Sequence, residues 1–482
     1  MVLEHLIFFA KYIYFINILF VVVIIFVERK KPVYSLFWIT VLVLTSYIGF
    51  ISYLLFGLSF RKKRLSKKFY MRNLFRYTNP SENNEAKKLE KWEQMIQYLE
   101  LTGKNRLTFS NSTVIFTDGK KLFQDMKDEL KKATSYIHME YFIFDNDALG
   151  KEFFSILKEK AKSGVEVKLI LDGVGCRKLP LKKIVALRDS KIDVLVFFPS
   201  YFPFINLRAN YRTHRKICIV DAKLGYIGGF NIGKDYIGKG HLGKWRDTHI
   251  KMKGEILNEL QKEFFSSWDF IKNQKFLSFK KKVRNRYDEK KYFPEKEKIG
   301  NSSIQIVGSA PDYEFHLIRD AILHMITKAK KYIYIQTPYF IPDDIIFEAL
   351  KIASLSGVNI KIMIPNKPDH LMVYWATHSY VGEMITMGVK FYSYKKGFLH
   401  SKVVIVDDEV ATVGSSNFDY RSFYQNFEIN AFIYDSDTVK KLKATFIEDL
   451  AESSSITKEI YHNRKLLVKF KESISRLFSP IL

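Results

Sequence analysis

The chain has little cysteine and a shortage of acid. Cys176 and Cys218 are the only cysteines in 482 residues, which excludes a disulfide framework. Cys218 lies in the apolar run ICIV and Cys176 has no ligand-like neighbour, so both read as small buried thiols. A Gly-x4-Gly-Lys-Ser/Thr loop is missing, which leaves nucleotide hydrolysis without support. A closed Cys/His zinc set and an acidic calcium loop are missing too. No metal and no cofactor is expected. Asp and Glu total 51 against 77 Lys and Arg, a formal charge of +26. That surplus points to an anionic partner, phospholipid or nucleic acid. No long tract is low-complexity and 47% of residues are apolar, so the chain is expected to fold, at this length as two or more domains.

Charge is also absent from much of the first sixty residues. In residues 6–27 only Lys11 and Asn17 are strongly polar, and residues 33–60 carry no charge. Each run is long enough for a helix across a hydrocarbon core of about 30 Å. The short turn ERKKP between them predicts a transmembrane hairpin over residues 1–60. The run RKKRLSKK at 61–68 has six basic residues and no acid. It places the rest of the chain at the cytoplasmic face of a multi-pass protein of the cell membrane, with a bilayer as partner.

Beyond residue 105 the chain repeats itself. SYIHMEYFI at 135–143 is echoed by KYIYIQTPYFI at 331–341, and SGVEVKLILDG at 163–173 by SGVNIKIMIPN at 356–366. THRKICIVDAKLGYIGGFN then returns as LHSKVVIVDDEVATVGSSN. Strand-like runs alternate with helical ones, which predicts two α/β domains. The organisation expected is a basic, helical connector at 61–105, a first domain at 106–280, a linker at 281–300, a second domain at 301–460 and an amphipathic helix at 461–482.

Both copies hold His-x-Lys-x4-Asp: His214, Lys216 and Asp221, then His400, Lys402 and Asp407. Alternate residues of a strand share a face, so each His is expected beside its Lys. Two imidazoles and two ammoniums suit a phosphodiester. One His attacks phosphorus, the other moves a proton, and the lysines hold the non-bridging oxygens. Asn231 and Asn417, each fifteen residues after the motif Lys, are candidate amide donors. Asp221 and Asp407 end the strands, where they fix a turn or a lysine or else reach the substrate.

The doubled motif, followed by Gly-Gly or Gly-Ser and Asn, resembles the phospholipase D superfamily. Flanking blocks such as EYFIFDND, GGFNIGKDYIG, WRDTH, QTPYFIPD and NFEINAF resemble bacterial cardiolipin synthases. The resemblance covers essentially the whole chain and implies duplicated phospholipase D-like domains. It implies phosphatidyl transfer between two phosphatidylglycerol molecules through a phosphohistidine, giving cardiolipin and glycerol. The anionic partner is then phospholipid, with no nucleic acid expected. It also implies His214 as nucleophile and His400 as acid and base, or by the symmetry of the motifs the reverse, and a histidine-orienting carboxylate after each motif: Asp247 in the first copy and Glu428 in the second. The aromatic stretch 197–212 reads as an opening toward lipid or as a packed loop. The apolar positions Leu467, Phe470, Ile474, Leu477 and Phe478 recur at helical spacing among basic residues, as in an interfacial helix or one packed on its own domain.

Overall fold

The computed structural model describes residues 12, 15–28, 32–53, 86–199, 211–275, 287–311, 313 and 315–482. Contacts divide the chain into two units.

In the N-terminal unit, helical residues 15–23 lead into the π-helical turn Ile24–Glu28. The helices Pro32–Leu44 and Ser46–Ser52 follow. Ile24, Leu42 and Tyr53 form a small buried cluster with Phe20, Val21, Trp38 and Ile39 against it. The expected transmembrane hairpin is overturned: among the described residues no helix is long and apolar enough to cross a membrane. The second run is interrupted at Thr45, whose hydroxyl bonds the Val41 carbonyl at 2.7 Å. The 13 residues before it rise about 20 Å, short of the roughly 30 Å required. The multi-pass placement and its cytoplasmic orientation fall with the hairpin. The basic run 61–68 lies outside the described residues.

The larger unit is built on one fifteen-stranded sheet. In the first repeat, Tyr136–Tyr141, Glu166–Asp172 and Ile192–Phe197 run parallel. The motif strand Lys216–Val220 lies antiparallel beside Tyr136–Tyr141, followed by Leu224–Gly228, His249–Gly254 and Thr108–Phe116. The second repeat matches this order with Lys390–Tyr394, Asn359–Pro365, Tyr332–Gln336, Val403–Val406, Val410–Gly414, Glu428–Ile433 and Ser302–Ser309. The two halves join where Thr108–Phe116 pairs antiparallel with Ser302–Ser309. The duplicated α/β architecture expected from the sequence is present, and both halves share one sheet.

The motif strands Lys216–Val220 and Val403–Val406 and the strands beside them are buried throughout, as the apolar runs require. A core cluster in each half fills the space between sheet and helices. Helix starts follow local chemistry: Asp118, Asp147, Asp343 and Asp435 accept bonds from first-turn amides that have no partner within their helices. The repeated order closes in each half with a long helix, Ile256–Lys275 and Ser436–Ala451, and the second half continues into strand Ser453–Ile456, antiparallel to Lys390–Tyr394 at the sheet edge.

Candidate active site

The motif histidines stand just ahead of the central strands, each tied to the other repeat. The His214 amide donates to the Phe427 carbonyl at 2.9 Å, and the Phe427 amide to the Arg212 carbonyl at 2.8 Å. The His400 amide donates to the Arg246 carbonyl at 2.7 Å, where Gly397–Leu399 pairs in parallel with Lys244–Arg246. Phe427 immediately precedes Glu428, and Arg246 immediately precedes Asp247. The strand crossings therefore deliver each carboxylate to the histidine of the opposite repeat. His214 Nδ1 lies 3.0 Å from both Glu428 oxygens, and His400 Nδ1 lies 2.6 Å from Asp247 Oδ2. All four side chains are buried. A carboxylate at Nδ1 keeps the proton there and leaves Nε2 for the reacting atom.

Each lysine follows its histidine on the same face. Lys216 Nζ donates to the His214 carbonyl at 2.6 Å, and Lys402 Nζ to the His400 carbonyl. Burial pulls Lys216 down to about 7 and Lys402 to about 8, against the carboxylates that favour their charge. Burial also lowers His214, with Glu428 opposing. It lowers His400 further, helped by the charges of Lys402, Lys216 and His214. Groups of both motifs thus act on one another's charge in a single water-poor site.

The two carboxylates differ. Burial pushes Glu428 up, but the His214 partner and Lys216 outweigh it and hold the group below its ordinary value. Ser415 Oγ donates to Glu428 at 2.5 Å and Asn426 Nδ2 at 3.1 Å. At Asp247 burial wins and pushes the carboxyl up to about 6; its further donor is the Thr248 amide at 2.7 Å. Ser415 occupies the place that Gly229 holds in the first repeat. A Cβ at Gly229 would sit 2.0 Å from Asp247 Oδ1, so the glycine is what lets the shorter carboxylate pack against the backbone.

The other sequence candidates divide. Asn231 accepts from the Ile143 amide at 3.1 Å and donates to the Tyr236 hydroxyl at 2.5 Å; the Tyr236 ring lies 6.0 Å from that of His400. Asn417 Nδ2 donates to Asp419 at 3.0 Å. Both amides are thus engaged with neighbouring loops. Asp221 and Asp407, the last residues of the two catalytic motifs, take the turn-fixing role of those left open to them. Asp221 accepts from the amides of Thr134, Ser135 and Tyr136 at 2.7–2.8 Å. Asp407 accepts from those of Lys330, Lys331 and Tyr332 at 2.7–2.9 Å. The intervening strand, rising about 3.3 Å per residue, separates each from its histidine by roughly 20 Å. Among the described residues no three His, Cys, Asp or Glu side chains gather as a metal would require.

Residues 126–268 and 322–450 match the family model described as "Cardiolipin synthase, PLD-like domain". The chain belongs to the cardiolipin synthases of the phospholipase D superfamily. Residues 15–57 match a second model, "Phospholipase_D-nuclease N-terminal". The cardiolipin synthase of Staphylococcus aureus (strain Mu50 / ATCC 700699) is 43% identical over 480 residues, covering 97% of this chain and 95% of the relative. Cardiolipin synthase 2 of Staphylococcus epidermidis (strain ATCC 12228 / FDA PCI 1200) is 42% identical, covering 97% and 96%. The crystal structure of phosphatidylserine synthase from Haemophilus influenzae Rd KW20 superposes with a TM-score of 0.59 at 14% identity, over 81% of this chain and 100% of that one, and shares the fold.

Two arginines of this family member escape sequence reading. Arg215, in the variable slot of the first motif, donates to the Glu428 carbonyl at 3.1 Å and pairs with Glu263 at 3.0 Å. Arg246 donates to the Asp247 carbonyl at 2.5 Å and pairs with Asp449 at 2.6 Å. Glu263 and Asp449 sit on the long helices that end the two repeats. The backbone of each orienting carboxylate is therefore clamped by a buried Arg–carboxylate pair. The first clamp starts from the motif strand and the second from the carboxylate segment, where the other repeat has Phe427, so duplication alone does not reveal them. Asp172 is the visible signal at Thr213: it closes the LDGVG turn through the Val174 and Gly175 amides at 2.9 Å and takes the Thr213 amide at 3.1 Å.

Proposed function

We propose a residue-level course for the reaction of this chain, a phospholipase D-type phosphatidyltransferase that makes cardiolipin. The anionic phosphate of phosphatidylglycerol sits between the histidines, with Lys216 and Lys402 on its non-bridging oxygens. His214 Nε2 attacks phosphorus, the bond from phosphorus to the glycerol oxygen breaks, and His400 gives that oxygen its proton. The phosphatidyl group is then on His214. The terminal hydroxyl of a second phosphatidylglycerol loses its proton to His400 and attacks phosphorus. The N–P bond breaks, and the net products are cardiolipin and glycerol.

The carboxylate asymmetry supports this division of roles. A phosphohistidine protonated at Nδ1 carries positive charge on the ring, which an ionised carboxylate stabilises. Glu428, held below its ordinary value and bonded by Ser415 and Asn426, is that group for His214. His400 must take up and release a proton, and Asp247, raised to about 6, is the weaker counter-charge. The phosphate of bound substrate raises both histidines and favours the protonated acid.

The purified chain given phosphatidylglycerol labelled in its phosphate, quenched in mid-turnover and digested, should carry label on the peptide containing His214. Cardiolipin and glycerol should appear as products. Label on the His400 peptide would reverse the roles. Phosphatidic acid as sole product would replace transfer by hydrolysis.

A further inference from the structure

The last long helix is mounted with its apolar face outward. Leu466–Leu477 follows the spacing of an amphipathic helix, and in a soluble domain such a face turns to the core. Here Leu466 is 84% exposed, Phe470 64% and Leu477 74%, whereas Glu472 is 3% and Ser475 5% exposed. On the buried polar side one oxygen of Glu472 pairs with Arg464 at 2.9 Å. The helix is therefore held by its polar face. It lies along helix Leu371–Thr386 in the same direction, with Lys471 over the Trp375 ring at 5.5 Å and Arg476 over the Tyr380 ring at 4.5 Å. Leu371 and Met372 at the start of that neighbour are exposed as well.

This patch adjoins the site. Asp369 and His370 lead directly into Leu371, and their charges act on Lys402 and His400. A pocket lined by Tyr339, Asp369, Tyr374 and His378 opens at the same end of the helix. Charge selects the occupant. Lys465 and Lys471 are exposed and Lys469 is half-buried beside the apolar residues, while the one acid of the helix is buried.

We propose that Leu466–Leu477, with Leu371 and Met372, is a peripheral docking surface for an anionic phospholipid bilayer, seating its apolar side chains among the acyl chains and its lysines among the headgroups. Contact of this kind needs no spanning helix. It brings substrate to the mouth of the site without the lipid leaving the bilayer. The proposal rests on the lipid-substrate reading above.

Phe470→Trp in the full chain provides a probe. Mixed with vesicles of phosphatidylglycerol and phosphatidylcholine brominated in the acyl chains, it should show quenching beyond that of the unsubstituted chain. Equal quenching would overturn the proposal. The triple variant Leu467→Ser, Phe470→Ser, Leu477→Ser changes only exposed side chains. Its cardiolipin synthesis in vesicles should fall at least about tenfold, with synthesis from short-chain, monomeric phosphatidylglycerol unchanged. Vesicle activity equal to the parent's, or equal loss on both substrates, would overturn it. So would sedimentation showing that the substitutions dissociate a dimer while vesicle turnover persists, since the occupant would then be a second copy. The short-chain substrate separates the two levels: if the parent makes no cardiolipin from either substrate, the reaction fails rather than the surface.

Discussion

Glu428 holds His214 across the repeat boundary, 3.0 Å from Nδ1 to each carboxylate oxygen, while Asp247 of the first repeat serves His400 of the second. Neither repeat contains a complete histidine–carboxylate pair of its own. Glu428→Gln should therefore release the His214 Nδ1 proton and leave that of His400. The downfield Nδ1–H signal of His214 should vanish in Glu428→Gln and persist in Asp247→Asn, with the reverse for His400. Activity should fall by about 10³–10⁴ in either variant, as expected when a histidine loses the carboxylate that sets its tautomer. A His214 signal lost in Asp247→Asn instead would refute the crossing.

The lysines set an alkaline limit. Lys216 at about 7 and Lys402 at about 8 in the free protein bear charge only below those values. If both cations bind the phosphate, kcat/KM should decline above about pH 7, with a slope approaching two protons above pH 8. Substrate phosphate favours the charged lysines, so the limb in kcat should lie at higher pH. A kcat/KM profile level to pH 9 would contradict this.

The same burial sets stability against function. An unfolded lysine titrates near 10.5 and folded Lys216 near 7. Between those values the unfolded chain binds a proton that the folded chain does not. This contribution to stability is thus lost as pH falls from 10.5 toward 7 and is constant below. At pH 7 the cost is of order 4 kcal/mol. Lys216→Met removes it along with one bond, to the His214 carbonyl. It should abolish turnover yet raise the unfolding free energy at pH 7 by about 2–4 kcal/mol, read from denaturant curves. A lower Tm in the variant would show the lysine to be well solvated or firmly paired.

Asp221 offers the opposite separation. It anchors three backbone amides at the turn after the motif strand and itself has a φ of +52°. Asn tolerates that backbone and keeps an acceptor; Ala does neither well. Asp221→Ala should cost about 1–3 kcal/mol of stability, while kcat below the transition stays within about twofold of the parent. Asp221→Asn should fall between. A loss of kcat beyond tenfold in fully folded Asp221→Ala would return the residue to the chemistry.

Much of this was legible in the sequence. Pairing of His with Lys on one face follows from strand geometry, and the strand and helix order follows from two rounds of the same apolar pattern. The crossed carboxylates were not, because spacing within a repeat is local, whereas Phe427 and Arg246 meet the opposite motif through strand pairing. The arginine clamps were hidden because Arg215 and Arg246 stand at different places in the two copies. Apolar length misled at the N-terminus: a run of 28 uncharged residues read as one span, and Thr45 breaks its helix. At the C-terminus the spacing was right but silent on direction, since the same heptad pattern serves a core or a surface. Of the aromatic stretch 197–212, residues 200–210 lie outside the described residues.

Gly229 tests whether the two carboxylates are interchangeable. It and Ser415 occupy equivalent places, yet one makes room for Asp247 and the other bonds Glu428. Gly229→Ala places a methyl within 2.0 Å of Asp247 Oδ1, and the carboxylate must move off His400. Asp247 is wedged by its own bond to the Thr248 amide, so relief must come from the His400 bond. Activity should drop by about 10²-fold or more, with the His400 Nδ1–H signal weakened and that of His214 intact. Ser415→Gly removes a donor and adds no bulk. Glu428 keeps His214 and Asn426, so the loss should be about tenfold, close to the worth of one charged hydrogen bond. If Gly229→Ala proves milder than Ser415→Gly, the close approach at Asp247 is not what positions His400.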